Sequence, residues 1–291
     1  MTNTKKKTLI IIVFIAVAIF GALFIGYVRE YFARLHDEQI AQENSDMIRR
    51  VFMESTEDTT NVMPKLPKTQ YEENSEYTED EIPMVDLARF AGTFAAFNAA
   101  RELTGNNDIV AYIYIAETNI SYAVVQGTDN DFYLHHDIFG NRNSAGSVFL
   151  DYLNSPDFSD PNTIIYGHNM NRGNKFHNLR YYVFGDNRQA FFEARPHILI
   201  ITEYEVLIYE IFSVFTTDID FYFIQVKFSY SEFEAFVNEL NNRSIYDTGV
   251  SVASEDTLLL LSTCTGLHRD SRIVIASRLA QRLRIPVLIG E

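Results

Sequence analysis

The sequence predicts a mainly β domain, closed as a barrel or layered as a sandwich, behind N-terminal helices and one membrane-length apolar segment. Two observations predict the β domain. Eight short runs rich in β-branched and aromatic residues follow one another between Asp108 and Leu279: DIVAYIYIAE, ISYAVVQG, GSVFLDYL, NTIIYG, HILIITE, EVLIYEIFSVF, DTLLLLSTC and SRIVIASRL. Clusters of Gly, Asn, Asp and Pro separate them, a repetition that argues for all-β architecture rather than alternating βαβ units. A third observation sets the N-terminus apart. TLIIIVFIAVAIFGALFIGYV, residues 8–28, is 21 residues without a charge, enough for a helix to cross a hydrocarbon core of ~30 Å.

Taken in chain order, residues 1–7 form a short tail in which Lys5, Lys6 and Lys7 favour a cytoplasmic N-terminus. Residues 8–28 are read as an uncleaved signal anchor, because the apolar region of a cleaved signal peptide usually runs only about 7–15 residues. No second apolar run of that length follows, so the protein is expected to be anchored once, with its domain outside the cytoplasm. Residues 29–83 form a juxtamembrane stretch. Its first part, 29–55, is charged and lacks Pro and Gly, which predicts a helix. Its second part, 56–83, holds three prolines and many acids and reads as a flexible tether. The domain proper is assigned to 84–291. It opens with a helix over 84–103, where Leu87, Phe90, Phe94 and Phe97 recur at helical spacing. A helix over 230–244 interrupts the strands, with Phe233, Phe236, Val237 and Leu240 on one face and Ser231 as N-cap ahead of Glu234.

Composition excludes several classes. A net charge of −15 and a pI near 4.9 leave no basic footprint for broad nucleic-acid binding. One cysteine, Cys264, rules out an intramolecular disulfide framework and a multi-thiolate zinc site.

That cysteine stands in LLLLSTCTGLHRDSRIVIA, residues 258–276. A free cysteine is commonly a buried core residue, but this one falls where a strand meets a polar loop, a favoured place for catalytic groups. A nucleophilic thiol also needs a base, since at a pKa of ~8.5 only a few per cent is thiolate at neutral pH. Of the seven histidines, His168 ends the run NTIIYGH and is the best placed. A metal site from His135, His136, His168 and His177 lacks supporting spacing. If 258–264 and 271–279 pair as an antiparallel hairpin, Arg272 begins the second strand beside the end of the first. Arg278 would then lie about 20 Å along at ~3.3 Å per residue, and Arg269 is a loop reserve. An arginine beside the thiol could stabilise an oxyanion.

LSTC, an arginine eight residues on in SRIVIA, and IIYGHNM upstream together resemble the sortases, the cysteine transpeptidases of Gram-positive cell surfaces. The resemblance covers roughly residues 105–285. NNDIVAYIYI, ISYAVVQGTDNDFYLHHD, GSVFLD and the inserted helix are most similar to class B. Leu260 stands where the family usually has the first Thr of TLxTC, and Tyr112 where a Trp is common. The resemblance implies an eight-stranded barrel with a helix inserted between the last strands. It implies Cys264 as nucleophile, His168 as acid/base and Arg272 as the oxyanion or substrate-positioning group, with Asn130, Leu134, Phe223, Ile224 and Ser262 along the peptide groove. The implied partners are secreted proteins with a C-terminal sorting motif, NPxTN-like or PPxTG-like, cleaved after Thr, and an amine of a cell-wall precursor. No metal or organic cofactor is implied for the acyl transfer, although some sortases respond to calcium. A pilus-building sortase using a lysine acceptor, and a catalytically silent wall-peptide-binding domain, remain as alternatives.

Overall fold

The computed structural model describes residues 3–55, 92–170, 173–218, 220–266 and 270–285. The N-terminal residues form one helix, α1 (Asn3–Ser55), where the sequence predicted an anchor followed by a separate juxtamembrane helix. No Pro occurs in these residues, and the short run Asn44-Ser45-Asp46 is carried within the helix. Two compact units result, residues 1–40 and 41–291. In the first, Ile15, Val17, Ile19, Phe20, Leu23, Phe24 and Ile25 are all exposed. Apolar side chains on every side of a helix suit a lipid surround better than water, and this helix is long and apolar enough to cross a membrane.

The second unit is a barrel. After α2 (Thr93–Thr104) come β1 (Ile109–Tyr114), β2 (Ser121–Val125), α3 (Phe132–His135), β3 (Val148–Leu150) and β4 (Asn162–Tyr166). A 3₁₀ turn (Phe176–Tyr182), α4 (Arg188–Ala194), β5 (His197–Ile201), β6 (Glu205–Thr217), α5 (Tyr230–Arg243), β7 (Leu258–Cys264) and β8 (Arg272–Arg284) complete it. The strands close in the order β1-β2-β3-β4-β7-β8-β6-β5. Pairs β2/β3 and β4/β7 are parallel, and the other neighbours are antiparallel. Each of the eight runs singled out in the sequence supplies one strand.

Period-two alternation divides the side chains between the inside and outside of the barrel. In β7, Leu259 and Leu261 join the interior cluster with Ile273 and Ile275 of β8, while the 3₁₀ turn adds Phe176, Leu179 and Tyr182. Leu258 and Leu260 face outward with Val274 and Ala276, where α5 covers them through Phe233, Phe236, Val237 and Leu240. Leu260, the departure from the TLxTC pattern, is therefore buried under α5, where its shape bears on packing. Glu232 closes the start of α5 by accepting from both N and Oγ of Ser229, each at 2.7 Å. The cap is thus two residues earlier than the predicted Ser231.

A third cluster lies outside β1, where Ile48 and Phe52 of α1 pack with Phe97 and Ala100 of α2. Phe52 stacks on Tyr112 at 4.4 Å, and Tyr112 Oη lies 2.7 Å from Ser121 Oγ. Arg101 pins α2 in place, donating to Ile109 O at 2.7 Å and pairing with Glu203. In α2, Phe97 is buried and Phe94 exposed; Leu87 and Phe90 lie outside the described residues. Residues 41–55 thus belong to the barrel unit, and the acidic stretch 56–83 lies outside the described residues.

Candidate active site

The outer faces of β4, β7 and β8 bring the predicted catalytic residues together. The β7/β8 ladder pairs Leu258 with Arg278 at one end and Cys264 with Arg272 at the other. The hairpin closes with Thr265 N donating to Ser271 O at 3.0 Å. Cys264 and Arg272 are on the same face as Leu260 and Val274, by alternation, and lie beyond the part that α5 covers. Arg269 and His268 fall outside the described residues. Arg278 shares the face but stands at the far end, donating to Glu210 Oε2 at 2.8 Å.

On the other side of β7, the parallel ladder with β4 runs to Tyr166 opposite Ser262. Gly167 N continues it by donating to Ser262 O at 3.2 Å. By that register, extended one step, His168, which follows the end of β4, would stand opposite Cys264, and Cys264 pairs with Arg272 across β7 and β8, neighbouring strands lying ~4.8 Å apart. Cys264 is half-buried, which leaves the thiol open to a ligand.

Two glycines shape the site, Gly146 beside the imidazole and Gly167 against Phe176. A Cβ on Gly146, whose φ is +54°, would come within 2.7 Å of Leu134 O and 3.1 Å of His168 Cδ2. A Cβ on Gly167 would fall 2.8 Å from the Phe176 ring. His168 Nε2 is 2.8 Å from Leu134 O, and since a carbonyl can only accept, Nε2 carries a hydrogen and Nδ1 is the free base. Burial pushes the His168 pKa below its ordinary value. The charges of Lys175 and His135 push the same way, against the Leu134 bond.

The predicted groove residues have mixed surroundings. Ser262 is buried on the face of Cys264, two residues before it. Leu134 is half-buried against the β1 cluster and supplies the carbonyl that holds His168. Asn130 has both amide atoms engaged: Nδ2 donates to Asp151 Oδ2 at 2.9 Å and Oδ1 accepts from Tyr152 N at 3.0 Å. Asp151 Oδ2 also accepts from Tyr166 Oη at 2.8 Å, so a polar chain links Asn130 to the residue opposite Ser262. Phe223 is buried in the α5 cluster, and Ile224 packs half-buried beside it. Asn162 Nδ2 grips the backbone there through Phe223 O at 3.2 Å and Gln225 O at 2.8 Å. Tyr222, unmarked in the sequence reading, is the exposed aromatic of this segment.

The histidines considered for a metal have separate partners: Phe132 O for His136 and Asn169 Oδ1 for His177, and Asp131 at 3.7 Å for His135. Asn169 and Asp151 are site residues that sequence reasoning missed. The only signal for Asn169 was its place directly after His168.

Residues 113–280 match the sortase domain family model. A sortase B of Listeria monocytogenes is 39% identical over 183 residues, 61% of this chain and 72% of the relative. A solved sortase B structure from the same organism superimposes with a TM-score of 0.55 at 36% identity, covering 61% of this chain and 97% of that one. A Staphylococcus aureus sortase B–substrate complex gives a TM-score of 0.66 at 22% identity, covering 84% and 99%, a likeness of fold. With a barrel of this order, a lone cysteine on β7 and these relatives, the chain belongs to the sortase family of cysteine transpeptidases, and within it to class B.

Proposed function

We propose that this sortase cleaves a C-terminal sorting motif of secreted proteins after Thr and transfers them to an amine of a cell-wall precursor. Residues 8–28 hold it in the cell membrane, with the tail 1–7 inside and the barrel outside. The observation that carries the chemistry is the cross-strand row of His168, Cys264 and Arg272. Cys264 Sγ attacks the Thr carbonyl carbon while its proton passes to Nδ1 of the neutral His168. The oxyanion that forms is balanced by the Arg272 guanidinium, a class of contact worth about 10²–10³ in rate. As the C–N bond breaks, His168 returns the proton to the leaving amine, leaving a thioester on Cys264. An incoming amine attacks that thioester, gives its proton to His168, and the thiol departs reprotonated.

The groove is assigned to Ser262, Asn130, Leu134, Phe223 and Ile224. The tight amide bonds of Asn130 make it a fixed wall presenting one remaining N–H, and Phe223 acts by backing Ile224. In the fold neighbour from S. aureus the protein is a substrate complex, which supports a peptide ligand here. The domain scheme is 1–7, 8–28, 29–83 and 84–291, with residues 41–55 contributing to the barrel unit.

The test is a panel of NPxTN-like and PPxTG-like peptides, with a glycine-type, a diaminopimelate-type or a lysine-bearing protein acceptor, products being read by mass spectrometry. Cleavage after Thr and joining to a wall-type amine is expected, with none for Cys264→Ala. Joining only to the protein lysine would make the enzyme a pilus builder. Binding without cleavage would make it a silent receptor.

A further inference from the structure

The β4/β7 ladder does not stop where its main-chain bonds do. After Gly167 N to Ser262 O, the next parallel rung would join residue 169 to Cys264 O. There the chain turns away to face Lys175 in an antiparallel bridge, closed by Phe176 N donating to His168 O. The Asn169 side chain makes the rung instead, Nδ2 donating to Cys264 O at 2.9 Å. Because Nδ2 donates there, Oδ1 is the acceptor that faces His177 Nδ1 at 2.9 Å. His177 must carry its hydrogen on Nδ1 for that bond. Burial, and next the Arg180 charge, lowers the His177 pKa, against a bond to the Met170 backbone. His177 itself is buried at the start of the 3₁₀ turn, with Tyr181 edge-on at 5.9 Å. The loop that carries His168 is closed on both sides of this chain, since Phe176 N donates to His168 O at 2.9 Å.

We propose that Asn169 and His177 are positioning residues of the transpeptidation, a side-chain relay that holds the end of β7 against the loop of His168 so that thiol and imidazole stay aligned. The inference rests on the sortase reading of Cys264 and His168. Neither residue touches the reacting atoms. Asn169 acts by fixing the carbonyl of the nucleophile's own residue, and His177 by fixing Asn169. One misaligned ångström between reacting groups can cost about 10²-fold in rate, so the relay acts on kcat.

The experiment compares full-length wild type with His177→Phe, which keeps the ring contact with Tyr181 but has no donor. His177→Asn is the conservative control, since its amide N–H falls near the position of Nδ1. Asn169→Asp keeps the acceptor for His177 and loses the donor to Cys264 O. With a peptide that wild type cleaves, His177→Phe and Asn169→Asp are expected to lower kcat by about tenfold to a hundredfold, with KM within about twofold. His177→Asn is expected to recover to within about threefold of wild type by replacing the donor. The pH profile of Cys264 alkylation by iodoacetamide in His177→Phe and Asn169→Asp should converge on that of His168→Ala, because the thiol loses its base. Should His177→Phe fail to fold, Asn169→Asp carries the test alone. Unchanged kcat and alkylation profiles in Asn169→Asp, or equal losses in His177→Phe and His177→Asn, overturn the relay. Inactive wild type overturns the sortase reading instead, and the alkylation profiles still judge the alignment.

Discussion

At the scale of single residues, the site depends on which groups burial keeps neutral. His168 has its pKa pushed down by burial and by the Lys175 ammonium, so the acid limb of activity should lie below the ordinary histidine value of about 6.5. Lys175 is buried, its ammonium 5.4 Å from the Tyr122 ring, and burial lowers its pKa to about 8 from 10.5. Below pH 8 both folded and unfolded chains hold that proton, and the cost of burying the charge is present in full. Between pH 8 and 10.5 the native state releases a proton that the unfolded chain keeps, so stability rises with pH in that window. Lys175→Met should therefore stabilise the fold by about 1–3 kcal/mol at pH 7, with the gain shrinking towards pH 10.5 in denaturant melts. The same variant should move the acid limb of activity upward, because a charge that disfavours the imidazolium is gone. Sequence patterning marked Cys264, His168 and Arg272 because each sits at a strand end with polar neighbours. It gave no hint of Lys175, since a lysine in an Asn- and Gly-rich loop reads as solvated until the chain closes over it.

At the scale of elements, the site is a product of register. β7 and β8 pair so that Cys264 meets Arg272, and a slip of one residue would turn both to the other face. That pairing was legible from the short loop between the two runs. The parallel β4/β7 contact was not, because the two strands are separated by some ninety residues and no local pattern marks their partnership. The glycines show the same limit: Gly167 and Gly146 read as turn punctuation, yet each is small to admit a ring or a carbonyl from elsewhere. Gly146→Ala should cost about 2 kcal/mol and should impair turnover beyond its effect on folding, since the added methyl crowds Leu134 O and His168. A melting curve and a turnover assay on the same sample separate the two effects. The α5 cap illustrates a boundary error of another kind. Serines at 229 and 231 both precede glutamates by three residues, and only the packing of Phe233 on the barrel selects the earlier one.

At the scale of the whole molecule, the described residues form one helix over Asn3–Ser55 and a closed barrel. The mainly β class followed from spacing and turn residues and the closed barrel from the family resemblance, whereas the order of the strands appears only in the structure. The place of residues 41–55 was not legible either, because a polar helix with a few apolar positions such as Ile48 and Phe52 shows its partner only when Tyr112 and Phe97 are in place. The acidic balance of the chain serves solubility outside this site. The site's own charges are few, and Arg272 and Arg278 make the sharpest contrast among them. Arg278 is bound to Glu210 at the other end of the β7/β8 ladder, so Arg278→Ala should lower stability by about 1–2 kcal/mol and leave the chemistry near wild type. The most direct measurement is the single-turnover rate of thioester formation on Cys264, followed by intact-mass spectrometry with a cleavable sorting peptide. The rate should fall about 10²-fold or more in Arg272→Ala, stay within about threefold of wild type in Arg278→Ala, and vanish in His168→Ala. Equal losses in the two arginine variants, or an adduct anywhere but Cys264, would contradict the account.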